Sequence, residues 1–181
     1  VSLLKSLKDF KIAAEKKGYF LKIRPGKYKI KKSMGNNTIV NVLRSERLTT
    51  KVTFNNQERI ENLAGRISEQ IEADSIELLN AFKDEQFLKL NGFSSTTALA
   101  MYLPNTYNLF WDVTVEDFRK RMLEYYNLFW NEERIQKANA LKLKPIQVYI
   151  LASIVQKESL RPEEQNKIAG VYINRLNKNM K

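Results

Sequence analysis

No His and no Cys occur in the chain, which removes Cys/His zinc sites, disulfides and every nucleophile that relies on a His base. Chemistry then falls to carboxylates, Lys, Tyr and hydroxyls. Among these Glu158 has the most telling position. It ends the run Pro-Ile-Gln-Val-Tyr-Ile-Leu-Ala-Ser-Ile-Val-Gln-Lys-Glu-Ser at 145–159, in which Pro145 suits the first helical position and apolar residues recur at helical spacing. Val148, Leu151, Ile154 and Val155 form one stripe, and steps of three and four residues carry that stripe to Glu158. A carboxyl on an apolar face loses hydration of its charged form and can hold a proton near neutral pH, as a general acid must. The competing arrangement is a helix-end carboxylate turned to solvent, or paired with Lys157 or Arg161. Gln156, two residues back, lies about 200° around the helix at ~100° per residue and points elsewhere.

The elements that must position Glu158 are legible on both sides of it. Arg161-Pro162-Glu163-Glu164 reads as the start of another helix, with Pro at the first position, acids in the first turn, and Ile168, Val171, Tyr172 and Leu176 as its face. Upstream, Thr114 is placed to cap a long helix carrying Phe118, Met122, Tyr125, Tyr126 and Phe129, and residues 131–143 continue as helix or helical turn. The aromatic segment from Met101 to Trp111 reads as ordered and extended; its rings suit either a core or the apolar face of a pyranose. Ahead of it come helices opening at Asn55 and at Ser75, a short helical turn at 84–88, and a loop over 91–97 where a boundary or hinge is expected.

The first part of the chain reads as a small α+β module. A short amphipathic helix within 2–17 ends at Gly18, and two strands, 19–23 and 27–31, are expected on either side of Arg24-Pro25-Gly26. A helix capped by Asn37 and a strand at 51–54 follow. Residues 1–51 carry 14 Lys and Arg against 3 acidic residues, the whole of the +11 formal net charge, while residues 52–181 carry 17 of each. Such a field favours an anionic partner: nucleic acid, lipid headgroups or an acidic polymer; a solvated lysine-rich surface is the plainer account. No apolar run approaches the ~18 residues that span a bilayer, and no signal peptide is visible. The sequence stops directly after a helical pattern, so a piece of a longer protein is expected.

Two linked segments carry a resemblance. Leu-Ala-Ser-Ile-Val-Gln-Lys-Glu-Ser at 151–159 and Ile-Ala-Gly-Val-Tyr-Ile-Asn-Arg-Leu at 168–176 closely resemble the paired signature of the MltG (YceG-like) endolytic murein transglycosylases. Leu103-Pro104-Asn105-Thr106-Tyr107 is similar to that family's Pro-Asp-Thr-Tyr segment, Val52-Thr53-Phe54 with the helix from Ile60 to Ala64 to its strand-helix entry, and Pro25-Gly26-Lys27-Tyr28 to its LysM-like module. The departures are Gln156, where the family's Glu-Lys-Glu has its first acid, and Asn105, where it has Asp.

The resemblance implies an α+β fold in which a LysM-like module (1–51) and a strand-helix connecting region (52–95) lead into the N-terminal part of a mainly helical catalytic domain (96–181), with further site-forming segments beyond Lys181. It implies a carbon–oxygen lyase that cleaves the β-1,4 bond between MurNAc and GlcNAc and closes a 1,6-anhydro ring, with Glu158 acting as acid and then as base. Ser159, Asn174, Arg175 and Tyr107 are the candidate substrate-binding residues; helix capping and packing account for the first three equally well. Neither cofactor nor metal is expected. By the same resemblance an anchor ahead of Val1 would hold the protein on the outer face of the cytoplasmic membrane, with glycan strands and the wall-synthesis machinery as partners. Two other classes remain: a glycan-binding module without catalysis, and a nucleic-acid-binding protein built on the basic module, which shows no recognised nucleic-acid motif.

Overall fold

The computed structural model describes residue 4 and residues 6–180. Among them are nine α-helices and one two-stranded antiparallel sheet, a mainly helical α+β fold. The elements in order are α1 (Leu7–Lys16), α2 (Asn36–Ser45), β1 (Thr49–Phe54), α3 (Ile60–Ser68), α4 (Ser75–Phe82), α5 (Glu85–Leu90), β2 (Asn105–Phe110), α6 (Val115–Phe129), α7 (Glu132–Ala140), α8 (Pro145–Glu158) and α9 (Pro162–Asn177). They fall into two compact units, Val1–Phe82 with Pro104–Phe118, and Lys83–Leu103 with Arg119–Lys181.

The first unit is organised by its sheet. β1 and β2 pair from Thr49 opposite Phe110 to Phe54 opposite Asn105. Alternation sets the inward face: Val52 and Phe54 from one strand, Tyr107 and Leu109 from the other, are buried. Leu63, Ala64 and Ile67 of α3 and Leu78 and Phe82 of α4 are buried as well, and Phe82 packs on Phe118 with ring centroids 5.9 Å apart. The free edge of β1 is covered by a side chain that mimics a strand: Gln70 Oε1 accepts from the Thr53 N–H at 2.8 Å while its Nε2 donates to the Thr53 carbonyl at 3.0 Å. The hydroxyl expected at Thr114 caps α6 through the Asp117 N–H at 3.1 Å. At the other end of the unit's sequence, Ala13 and Ala14 of α1 pack with Val40 of α2 beneath Phe10 and Tyr19.

The two strands expected at 19–23 and 27–31 are not formed. Tyr19–Leu21 make a 3₁₀ turn, and Lys27 contributes an isolated bridge to Leu48. Gly18 adopts φ +61 and Gly26 φ +137, so the chain turns tightly at both glycines. Ile23 and Ile30, which an alternating strand would bury, are exposed; alternation without a partner to bury its apolar face does not hold a strand. Several helix starts also shift. Gly35 rather than Asn37 precedes α2, Arg59 precedes α3, and Asp74 Oδ1 accepts from the Ile76 and Glu77 N–H groups at the start of α4.

In the second unit Asp84 caps α5, accepting from the Phe87 N–H at 3.1 Å, and pairs with Arg119 of α6 at 2.9 Å. That backbone bond first, and the guanidinium second, hold the Asp84 carboxyl below its ordinary range. The Arg119 guanidinium lies 3.8 Å from the Phe87 ring centroid. Phe93 meets Tyr126 edge to face at 5.1 Å. Lys142, at φ +58, lies between α7 and α8.

Candidate active site

Pro145 opens α8 as its first residue, and the Lys144 N–H is taken by Gln147 Oε1 at 2.8 Å, half of the reciprocal arrangement that satisfies orphan donors at a helix start. The helix ends at Glu158. Ser159 leaves helical geometry at φ −151, ψ 137, while its N–H still reaches the Val155 carbonyl at 3.1 Å. Its hydroxyl donates to Glu164 Oε2 at 2.7 Å and accepts from the Arg161 N–H at 3.1 Å, and its carbonyl accepts from Gln165 Nε2 at 3.2 Å. Ser159 thus joins the end of α8 to the first turn of α9 through bonds that are all short in sequence. Pro162 and the acids Glu163 and Glu164 then open α9 as the sequence predicts.

α9 returns to Glu158 at Tyr172. The Tyr172 hydroxyl donates to Glu158 Oε1 at 2.8 Å. The bond to that carboxylate is the largest influence raising the Tyr172 ionisation, followed by loss of hydration and the negative charge of Glu158; the positive charge of Arg175 opposes them. Tyr172 therefore remains a donor throughout the neutral range. In the sequence it stands only as part of the apolar face of α9. A tyrosine on such a face is the available signal, because its ring packs while its hydroxyl seeks a partner.

Glu158 is exposed, contrary to its expected place on a buried stripe. Of the residues of α8 only Val155 is buried; Val148 and Leu151 are half-buried, and Ile150 and Ile154 are exposed. Apolar residues occupy more than one side of α8, so the stripe through Val148, Leu151 and Val155 marks a lean toward the interior rather than a covered face. In α9 no residue is buried, and Val171 and Leu176 are exposed.

The remaining candidates fall in different surroundings. Asn174 and Arg175 lie on α9, exposed, two and three residues beyond Tyr172. Gln156 is exposed on α8. Tyr107 belongs to β2 of the first unit, where it is 4% exposed and stacks on Phe54 with centroids 5.5 Å apart. Its neighbour Thr106 meets Thr53 across the sheet, Oγ1 to Oγ1 at 2.9 Å, and Asn105 turns its Oδ1 back to the Thr106 N–H at 2.7 Å. No group of three His, Cys, Asp or Glu suited to a metal ion occurs among the described residues, and no helix among them is long and apolar enough to cross a membrane.

What this geometry offers is one carboxylate at a helix end, its backbone fixed by Ser159 and one oxygen held by a phenol. No curated protein and no solved structure matched the chain. The model of the YceG-like family matches residues 2–181, and the chain belongs to that family.

Proposed function

We propose that the protein is an endolytic peptidoglycan lytic transglycosylase of the MltG type. The family match over residues 2–181 carries this assignment. Glu158 delivers a proton to the glycosidic oxygen as the bond from C1 of N-acetylmuramic acid to O4 of N-acetylglucosamine breaks. Its carboxylate then removes the proton of the muramoyl C6 hydroxyl while O6 closes on C1, and the 1,6-anhydro ring forms without attack by water. One carboxyl serves both halves, whereas ordinary glycoside hydrolysis divides the work between two.

Tyr172 holds Oε1 through the 2.8 Å bond, which directs Oε2 to the substrate in both half-reactions. Asn174 and Arg175, exposed on the same helix, are placed to meet polar groups of the glycan. Ser159 acts as a positioning residue through its bonds to Glu164 and Arg161. Tyr107 supports the fold of the first unit through Phe54. The protein acts at the cell envelope, on the outer side of the cytoplasmic membrane, with glycan strands as substrate and the wall-synthesis machinery as partner.

The test is mass spectrometry of purified peptidoglycan incubated with the full-length protein and with Glu158→Gln. Fragments ending in 1,6-anhydro-muramic acid, lighter than hydrolysed ends by one water, are expected from the wild type and from no Glu158→Gln digest. Glycan pull-down by both proteins with no anhydro ends from either would leave a binding module in place of an enzyme.

A further inference from the structure

The first unit contains a cavity of about 300 Å³ lined by Gly18, Lys22, Arg24, Asn41, Arg44 and Ser45. Three of the six carry positive charge and none is acidic. Among the described residues, the side chains of Lys22, Arg24 and Arg44 have no carboxylate partner; the Arg24 guanidinium instead rests on the Arg44 carbonyl at 3.5 Å. Asn41 Oδ1 accepts from Lys17 Nζ at 2.6 Å, which leaves its amide NH₂ as a donor. Ser45 already donates to the Asn41 carbonyl at 2.8 Å. Local bonds hold the wall in place: Tyr28 donates to the Arg24 carbonyl at 2.7 Å, and Lys17 Nζ also reaches the Asn37 carbonyl at 3.3 Å. Three unneutralised cations around one concavity repel one another, and an anion seated among them relieves that repulsion.

The residues interleaved with the cations decide which anion. Phe20, Leu21 and Ile23 alternate in sequence with Lys22 and Arg24, and all three are exposed, at 46%, 91% and 59%. A Cβ built on Gly18 would lie 3.6 Å from Leu21 Cδ1, so Leu21 sits beside the cavity wall. Free phosphate offers such side chains no apolar surface, and the backbone of a regular DNA duplex offers them little. A phospholipid surface does, because its acyl region lies directly below its phosphates.

We infer that this face of the first unit docks on a bilayer rich in anionic phospholipid, with a headgroup phosphate in the cavity among Lys22, Arg24 and Arg44 and with Phe20, Leu21 and Ile23 entering the acyl boundary. The cavity belongs to the first unit and Glu158 to the second, and lipid binding does not depend on transglycosylase activity.

The test uses the full chain and sedimentation with vesicles of phosphatidylcholine alone or mixed with phosphatidylglycerol. Wild type binds the mixed vesicles and not the neutral ones. Loss of a cation near such a surface weakens binding roughly fivefold, so Lys8→Gln/Lys11→Gln, which removes two charges of α1 away from the cavity, sets the scale. Arg24→Gln/Arg44→Gln is expected to lose at least roughly tenfold more than that control pair, because a seated headgroup is lost as well as diffuse attraction. Leu21→Trp, at a position open to solvent, is expected to show a blue shift in fluorescence relative to the wild type with mixed vesicles alone. Equal losses from the two double variants would overturn the cavity assignment, and an unshifted signal from the introduced indole would overturn insertion. Tighter binding to a DNA duplex than to mixed vesicles, with the Arg24→Gln/Arg44→Gln loss confined to DNA, would replace the lipid by nucleic acid.

Discussion

Replacing Tyr172 by Phe removes one hydroxyl and leaves the ring, so it isolates the bond to Glu158 Oε1. Its effect on turnover follows from what that bond constrains. The Glu158 backbone is already fixed by the helix, by the Ser159 N–H on the Val155 carbonyl, and by Ser159 on Glu164. What remains free is the side chain, and Glu158 is exposed, so packing does not restrict it. Two sp³ torsions with three staggered wells each give about nine arrangements of the carboxyl. Were all equally populated, the arrangement held by Tyr172 would be occupied about one-ninth of the time once the hydroxyl is gone. The expected loss in kcat is therefore between about twofold and about ninefold, the lower bound reflecting unequal rotamer energies. KM should change little, because the competent arrangement is lost equally in free and substrate-bound enzyme unless the glycan itself restores it. Rates of anhydro-end release from defined glycan strands, measured across substrate concentration for the full-length wild type, Tyr172→Phe and Glu158→Gln, separate the two parameters. Glu158→Gln should fall by roughly 10²- to 10⁴-fold as the proton donor disappears. An unchanged kcat in Tyr172→Phe, or a loss confined to KM, would refute the role given to Tyr172.

Other consequences bear on the frame around the site. Phe118→Ala removes a fully buried ring packed on Phe82 and should cost about 3–5 kcal/mol in urea unfolding; a cost below about 1 kcal/mol would mean that this part of α6 is not core. Asp84 titrates lower in the folded protein than in the unfolded chain because the Phe87 N–H and then Arg119 favour its charged form. Its contribution is present above the unfolded value of about 3.9 and is lost as pH falls through the lower folded value. Asp84→Asn should therefore destabilise the protein at neutral pH and flatten the decline of stability in acid, measured as melting temperature against pH. A decline as steep as that of the wild type would remove Asp84 from the account.

Some helix starts and one strand could be read from the chain where short-range chemistry decides them. Pro145 and Pro162 begin α8 and α9, Thr114 caps α6, and the strand expected at 51–54 falls within β1. The element at 19–31 could not be read in this way. Its alternation is as regular as that of β1, but β1 has β2 on one side and Gln70 on the other, whereas 27–31 has one bridge to Leu48. A strand is decided by its partner, and partners lie far along the sequence. The Asn105–Phe110 strand makes the same point: its aromatics suited either a sugar surface or a core, and only pairing with β1 turns Tyr107 onto Phe54.

For Glu158 the same distinction separates what was legible from what was not. Its place at the end of α8 depends on Pro145, on Ser159 and on the first turn of α9, all within reach of local bonds. Its exposure depends on which sides of α8 are covered, and a helix with apolar residues on several sides does not declare that in its periodicity. Tyr172 lies between these cases, 14 residues away but carried back by two helices that begin at prolines. A short connection fixed by Ser159 brings the helices side by side. A hydroxyl on the returning face then meets the last side chain of the first helix. The hairpin thus supplies a carboxylate with a fixed backbone and one tethered oxygen from residues 145–177.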